Sequence, residues 1–221
     1  KEKNYFVDSA PVLERALARN AGLGWIGKNT NLINKNHGSW FFISEIITDI
    51  ELEIDQPSSN HCGSCNECID VCPTSAIIAP YELDARKCIS YLTIENKESI
   101  PKELRRPIGN RIFGCDDCQI FCPWNKFAKS PVIDDFMPRD VFENVSLKSL
   151  FKWTEKEWDE KTKGSSIRRS GYQGWLRNIA VALGNSEKEI DTVDLLKSKK
   201  GKVSSMVDEH IDWAVEQQLS D

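Results

Sequence analysis

The spacing of apolar positions changes along the chain, and each change marks a different kind of structure. From about residue 140 the apolar residues recur at helical intervals. Short helices are predicted at 146–151, 154–160, 173–183, 189–198 and 204–219. The last places Met206, Val207, Ile211, Ala214, Val215 and Leu219 on one face, with Ser204 or Ser205 as cap. Stacked antiparallel helix pairs, as in a short helical-repeat array, are the simplest arrangement. No clean internal repeat accompanies them. Near the start, Val12, Leu13, Ala16 and Leu17 give a helical stripe within 9–20, capped by Ser9, opened by Pro11 and closed by Gly22. Tyr5-Phe6-Val7 reads as the end of a strand leading into it. Ser39 to Thr48 is β-branched and aromatic enough for a buried strand. Between 60 and 125 neither period holds, so short helices and loops are expected, with a helix over Arg86–Asn96 that carries Cys88 and Tyr91.

That aperiodic region holds all eight cysteines. Cys62-x2-Cys65-x2-Cys68-x3-Cys72 is followed by Pro73, and Cys115-x2-Cys118-x3-Cys122 by Pro123. The first run is the bacterial ferredoxin pattern, whose fourth cysteine ligates the other cluster of a pair. The second run lacks its first cysteine, and Cys88 supplies it. The assignment is therefore Cys62, Cys65, Cys68 and Cys122 to one 4Fe–4S cluster, and Cys72, Cys88, Cys115 and Cys118 to the other. Structural zinc favours isolated C-x2-C pairs, and a disulfide framework requires an oxidising compartment. Neither fits this pattern.

Composition adds bounds. The 221 residues suffice for one or two domains with a real core, and 40% hydrophobic with 29% charged residues is ordinary for a soluble protein. The longest apolar stretch, Trp40 to Ile47, is broken by Ser44 and Glu45, so no membrane span is expected. With no signal peptide and eight thiolate-type cysteines, a cytoplasmic protein is expected. The net charge of −5 argues against coating nucleic acid by bulk attraction, not against a local basic patch. The chain opens at Lys1 rather than Met, with a candidate functional segment by residue 8, and an N-terminal portion is expected to be missing.

Three further segments carry candidate chemistry. Gly22-x-Gly24-x-x-Gly27 matches the dinucleotide fingerprint as a string, but a helix precedes it where a strand is required. The glycines instead suit a tight turn or close approach to a flat ligand. Asp8 opens a helix, where it reads either as a capping carboxylate or as a general acid. The helix N-terminus lowers its pKa whereas acid catalysis needs it raised, so an apolar or ligand-covered pocket would have to prevail. Lys161 to Asn178 holds five Lys/Arg and no acidic residue, with Tyr172 and Trp175 interleaved. It is a candidate phosphate-binding surface as well as an ordinary solvated face, and Arg168-Arg169 favours the former. Lys197 to Lys202 reads as a solvated basic loop. His37, His61 and His210 show no metal spacing. Trp124 is placed to shield a cluster from water.

Taken together, Tyr5–Glu14 (YFVDSAPVLE), Ala21–Asn29 (AGLGWIGKN), Gly38–Phe41 (GSWF), the cysteine runs, Ile108–Cys118 (IGNRIFGCDDC), Cys122–Asn125 (CPWN), Gly164–Arg169 (GSSIRR) and Leu176–Asn185 (LRNIAVALGN) resemble the epoxyqueuosine reductases over nearly the whole chain. The resemblance implies an α+β chain in three parts. Residues 1–55 would be the C-terminal part of a nitroreductase-like cobalamin domain, 56–135 a ferredoxin-like domain with two 4Fe–4S clusters, and 136–221 an all-α, HEAT-like region that contacts tRNA. It implies cobalamin as the reactive centre, tRNA carrying epoxyqueuosine as substrate, an external electron donor, and a monomer. The family's proton-donating aspartate falls on Asp8. Lys28, Asn31, Ser90, Asn96, Asp116 and Asp117 become corrinoid neighbours, and Thr93, Glu95, Lys102, Arg168, Arg169 and Arg177 tRNA contacts. Members carry a sizeable N-terminal segment, which supplies part of the cobalamin pocket and is not found here.

The implied reaction is reduction of the epoxide to the cyclopentene of queuosine. Electrons enter singly through the clusters, and Asp8 protonates the oxygen that leaves as water. Two other readings compete. A two-cluster electron-transfer module explains the cysteines but leaves Asp8 and the basic stretch idle. A corrinoid reductive dehalogenase shares the cofactors but has no need of an RNA surface over Gly164–Arg177.

Overall fold

The computed structural model describes residues 12–131, 133 and 136–220. The expected strand at Tyr5–Val7, Asp8, and the Ser9 cap and Pro11 of the first helix lie outside the described residues. The chain divides into two units: Lys1–Val71 with Ile77–Leu83 and Asp117–Ser130, and Cys72–Ala76 with Asp84–Asp116 and Pro131–Asp221. Residues of the expected 56–135 domain thus fall in both units.

In the first unit, helix α1 (Glu14–Asn20) ends where Gly22 turns the backbone to φ +70°. Strands β1 (Trp25–Ile26) and β2 (Leu32–Ile33) follow as an antiparallel hairpin, pairing Trp25 with Ile33 and Ile26 with Leu32. The glycines are what let it close. A Cβ on Gly24 would lie 2.2 Å from the Ile33 carbonyl oxygen, and one on Gly27 would lie 2.4 Å from the Ile33 side chain. The glycine-rich string is therefore a hairpin motif, not a phosphate cradle opening a helix. Helix α2 (Glu67–Asp70), the hairpin of β3 (Ile77–Ala79) and β4 (Glu82–Leu83), helix α4 (Asp117–Ile120) and a 3-10 turn (Pro123–Phe127) also belong to this unit.

The expected strand over Ser39–Thr48 does not form. Phe42, Ile46 and Ile47 are 84%, 90% and 93% exposed, and no described strand pairs with this segment. An apolar β-branched run states what its side chains prefer; a strand also needs a neighbour to complete its ladder.

The second unit is helical. Helix α3 (Lys102–Ile108) is followed by α5 (Leu147–Lys152), α6 (Glu155–Thr162), α7 (Gly171–Gly184), α8 (Ile190–Lys199) and α9 (Ser205–Leu219). The last five match the periodic segments to within two residues at each end. Ser146 and Ser204 cap α5 and α9, and Thr154 and Glu157 form a capping box on α6. Packing centres on α7, whose residues Gly174–Gly184 are all buried and which meets α3, α5, α6 and α9. Gly184 is the close-approach point, since a Cβ there would come within 2.6 Å of the Trp213 ring.

The expected helix over Arg86–Asn96 is interrupted. A 3-10 turn (Ala85–Lys87), capped by Asp84, stops before Cys88, and a π-helical turn (Tyr91–Glu95) follows. Its widening shows in the Asn96 N–H, which reaches back five residues to the Tyr91 carbonyl at 2.9 Å.

Deep in this unit, His210 is fully buried. Its Nε2 accepts the Ile100 N–H at 3.1 Å and its Nδ1 faces the Met206 carbonyl at 2.7 Å, so the bonding partners require the neutral Nδ1–H tautomer. Burial, assisted by Arg105, pushes its pKa down to about 4. The unfolded chain takes up this proton near the ordinary value of 6.5. Stability is therefore full above that value and falls as pH drops towards 4, by at most about 1.4 kcal/mol per pH unit. Thermal melts between these limits should show this slope, and His210→Gln should flatten it. An unchanged slope would assign the loss to other groups.

Candidate iron–sulfur centre

Within the first unit, Cys62, Cys65, Cys68 and Cys122 line one cavity of about 320 Å³, with Lys28, Asn29, Trp124 and Phe127 also on its wall. The approach of Cys122 to the other three is set by local turns. Pro123 begins a 3-10 turn (Pro123–Phe127), and Asn125 anchors it by donating to the Gln119 carbonyl at 2.6 Å and accepting the Ser39 N–H at 2.6 Å. The thiols interact electrostatically. Burial pushes the Cys68 thiol up to about 11, reinforced by Cys122, Cys62 and Cys65. Burial also raises Cys122, opposed by backbone N–H donors at Trp124 and Asn125 and helped by Cys62 and Cys65. These four are the set assigned to the first cluster. Among the described residues no three His, Cys, Asp or Glu side chains converge on a point suited to a single metal ion.

An aromatic wall closes one side. Trp25 and Trp124 meet edge to face with centroids 5.0 Å apart, and His61 packs on Trp25 at 4.9 Å. His61 Nε2 pairs with Ser59 Oγ at 3.0 Å, and the ring helps to line the cavity.

The turn between β1 and β2 supplies the donors. Lys28, 8% exposed, donates from Nζ to the Cys65 carbonyl at 2.8 Å and to Asn66 Oδ1 at 2.9 Å. Asn29 donates to the Cys118 carbonyl at 3.0 Å, and Asn31 Nδ2 lies 3.9 Å from Cys118 Sγ. Asn29 was not singled out from the sequence. Its signal was its place in the Lys28–Asn31 turn, directly beside two residues that were.

The remaining three cysteines of the second set belong to the second unit. The Ala76 N–H donates to Cys72 Sγ at 3.2 Å. Ser90 Oγ accepts the Cys115 N–H at 3.0 Å and donates to its carbonyl at 3.3 Å. Cys88 stands between the 3-10 and π turns. Asn96 bonds locally with Glu98 through both ends of its amide. Asp116 flanks Cys115, and Asp117 opens α4.

The expected RNA contacts separate into two groups. Arg168 pairs with Asp159 and Arg169 with Glu95 at 2.6 Å, all four partly or well exposed, and Lys102 is exposed at the start of α3. Thr93 and Arg177 are corrections. Both side chains are 0% exposed, with Thr93 Oγ1 spent on Ile89 and Gly114 and Arg177 on backbone carbonyls, so neither offers a surface to RNA.

Residues 61–125 match the model of a 4Fe–4S double cluster binding domain. Curated relatives named epoxyqueuosine reductase include those of Xanthomonas campestris pv. campestris, 58% identical over 96% of this chain and 60% of the relative, and of Escherichia coli K12, 51% identical over 97% and 56%. The chain belongs to the epoxyqueuosine reductase family. It spans about three fifths or less of these relatives' length. A crystal structure of an epoxyqueuosine reductase with an epoxyqueuosine-modified tRNA-Tyr stem loop superposes with TM-score 0.90 at 33% identity, over 96% of this chain and 56% of that one. The Bacillus subtilis epoxyqueuosine reductase, with its catalytic aspartate loop swung out of the active site, gives 0.87 at 34%, over 93% and 55%.

Lys28→Met keeps the stem but leaves the Cys65 carbonyl and Asn66 Oδ1 without their donor. Metal-free protein carrying this change should lose about 1–3 kcal/mol of stability in a denaturant melt. An unchanged melt would mean that Lys28 is not holding the thiol loop.

Proposed function

We propose that this chain acts in the reduction of epoxyqueuosine to queuosine in tRNA, with two 4Fe–4S clusters as the electron relay and cobalamin as the reactive centre. Homology to enzymes of that name over nearly the whole chain carries the reading. The described residues fit the clusters well. Four thiols line a cavity, and burial together with the neighbouring sulfurs disfavours the Cys68 thiolate, a penalty that bound iron would offset. Cys62, Cys65, Cys68 and Cys122 would hold one cluster, and Cys72, Cys88, Cys115 and Cys118 the other.

Iron–sulfur clusters supply one-electron transfer at a potential tuned by hydrogen bonds to sulfur and by exposure to water. The chain's own part is to fix that tuning. Trp25, Trp124 and Phe127 keep water from one side of the first site. Lys28 fixes the loop of Cys65, and the Asn31 amide and the Ala76 N–H face the sulfurs of Cys118 and Cys72.

Of the candidate corrinoid neighbours, Lys28 donates to the Cys65 carbonyl and Asn66 Oδ1, Ser90 to the Cys115 carbonyl and Asn96 to the Glu98 carbonyl. Asp8 would give a proton to the departing epoxide oxygen, in keeping with the catalytic aspartate loop named for the Bacillus subtilis relative.

Two measurements test the proposal. Protein purified or reconstituted without oxygen should hold about eight irons per chain, and Cys122→Ala about four. An unchanged iron content in the variant would refute the ligand assignment. Epoxyqueuosine-modified tRNA stem loop should bind with an affinity that falls roughly tenfold or more between about 50 and 200 mM salt. No binding at low salt would leave only an electron-transfer module. Where turnover is measurable, Asp8→Asn should abolish it with iron content unchanged.

A further inference from the structure

Helix α7 carries Arg177 and Asn178, adjacent in sequence and both 0% exposed. A buried guanidinium is costly unless every N–H is satisfied. Here each N–H has an acceptor, and none of the acceptors is a carboxylate. Nη1 donates to the carbonyls of Asn96 at 2.9 Å and Glu98 at 2.7 Å. Nη2 donates to the Leu92 carbonyl at 2.7 Å and to Asn178 Oδ1 at 2.9 Å, and Nε to the same oxygen at 3.1 Å. Asn178 Nδ2 then donates to the carbonyls of Thr93 at 2.8 Å and Ile112 at 2.9 Å. One side-chain pair therefore satisfies five backbone carbonyls, four of them within the π turn and its exit, the fifth in the loop ahead of Cys115.

The same segment is fastened to that loop from its other side. Thr93 Oγ1 accepts the Gly114 N–H at 2.9 Å while donating to the Ile89 carbonyl at 2.7 Å. Ser90 Oγ accepts the Cys115 N–H at 3.0 Å. The Leu92 N–H bonds the Cys88 carbonyl at 2.9 Å, which ties Cys88 to the π turn. Cys88 and Cys115 thus belong to one hydrogen-bonded body whose interior support is the Arg177–Asn178 pair.

We infer that Arg177 and Asn178 are positioning residues for the second cluster, setting the separation of Cys88 and Cys115 through the π turn. The inference rests on the two-cluster reading. A rigid multi-atom core tolerates little error in ligand placement, and neither cysteine segment has a regular ladder of its own to fix it. Burial alone lowers the Arg177 pKa to about 10, so the side chain stays charged near neutral pH. A lysine there would keep the charge but lose the planar fork that reaches three carbonyls and Asn178 together.

The test is anaerobic reconstitution of wild type and Arg177→Lys, with iron per chain, far-ultraviolet circular dichroism and the midpoint potential of each cluster. Wild type should hold about eight irons. The variant should keep its helicity and either fall to about four irons or retain eight with the second cluster's potential shifted and the first's unchanged. Eight irons with both potentials unchanged would overturn the inference, as would equal loss from both clusters, which marks general unfolding. Should Arg177→Lys not fold, Thr93→Val breaks the link to Gly114 without burying a new polar group, and the same outcomes decide. A wild type well short of eight irons would fail the two-cluster reading itself rather than the positioning role.

Discussion

Backbone carbonyls in short irregular segments must find donors, and the rest of this structure is arranged around that requirement. The segments bearing the cysteines are too short to satisfy themselves with helix or sheet ladders. Buried side-chain donors do so instead. Lys28 reaches the Cys65 carbonyl, Asn29 that of Cys118, and Asn125 that of Gln119. Asn178 and Arg177 serve the π turn, and Asn185 bonds the carbonyls of Arg105 and Gly109 at 2.8 and 3.0 Å. Apart from Asn125, which lies in the 3-10 turn after Cys122, the donors stand on the β1–β2 turn in one unit and on helix α7 or its C-cap in the other. Loop shape is thereby borrowed from regular structure nearby.

Electrostatics gives the same segments a second constraint. Burial, reinforced by the neighbouring sulfurs, makes the Cys68 and Cys122 thiols poor acids. On the proposed reading, iron replaces protons, and the aromatic wall of Trp25, His61 and Trp124 keeps the local medium poor in water. The sequence carries both requirements in one short run, cysteines for the ligands and Cys-Pro-Trp-Asn for turn, wall and anchor.

What could be read in advance follows from which interactions leave a local trace. Cysteine spacing and helical periodicity are local, so the grouping of the first four thiols and the five C-terminal helices were legible, with Ser204 as the cap of the last. The tight turn at Gly24 and Gly27 was also legible, because a helix stood where a strand was needed. Ser39–Thr48 was misread because a strand depends on a neighbour that no run of residues specifies. The π turn left no local trace, since the side chain that binds its carbonyls, Arg177, is distant in sequence. For the same reason the sequence does not separate Arg177 from Arg168 and Arg169 as a candidate tRNA contact. Its acceptors are backbone oxygens, and these leave no mark on the composition around it.

The two kinds of arginine on and beside α7 divide the work of that region. Arg177 is buried and fully bonded, and exchanging its partners would require opening the core. Arg168 and Arg169 sit in the preceding 3-10 turn (Ser166–Ser170), with exposed carboxylate partners Asp159 and Glu95. Surface pairs of that kind contribute only about 0–1 kcal/mol, so a phosphate could displace either carboxylate at small cost. The pairing also holds each guanidinium oriented before a ligand arrives, which lowers the entropy lost on binding. The carboxylates left behind would keep the site selective, since a weakly held anion must compete with them whereas a polyanion engages both arginines at once. On the proposed reading that polyanion is the tRNA backbone. The Glu95 pair then joins its binding to the π turn, because Glu95 is the last residue of the segment that Arg177 holds from within.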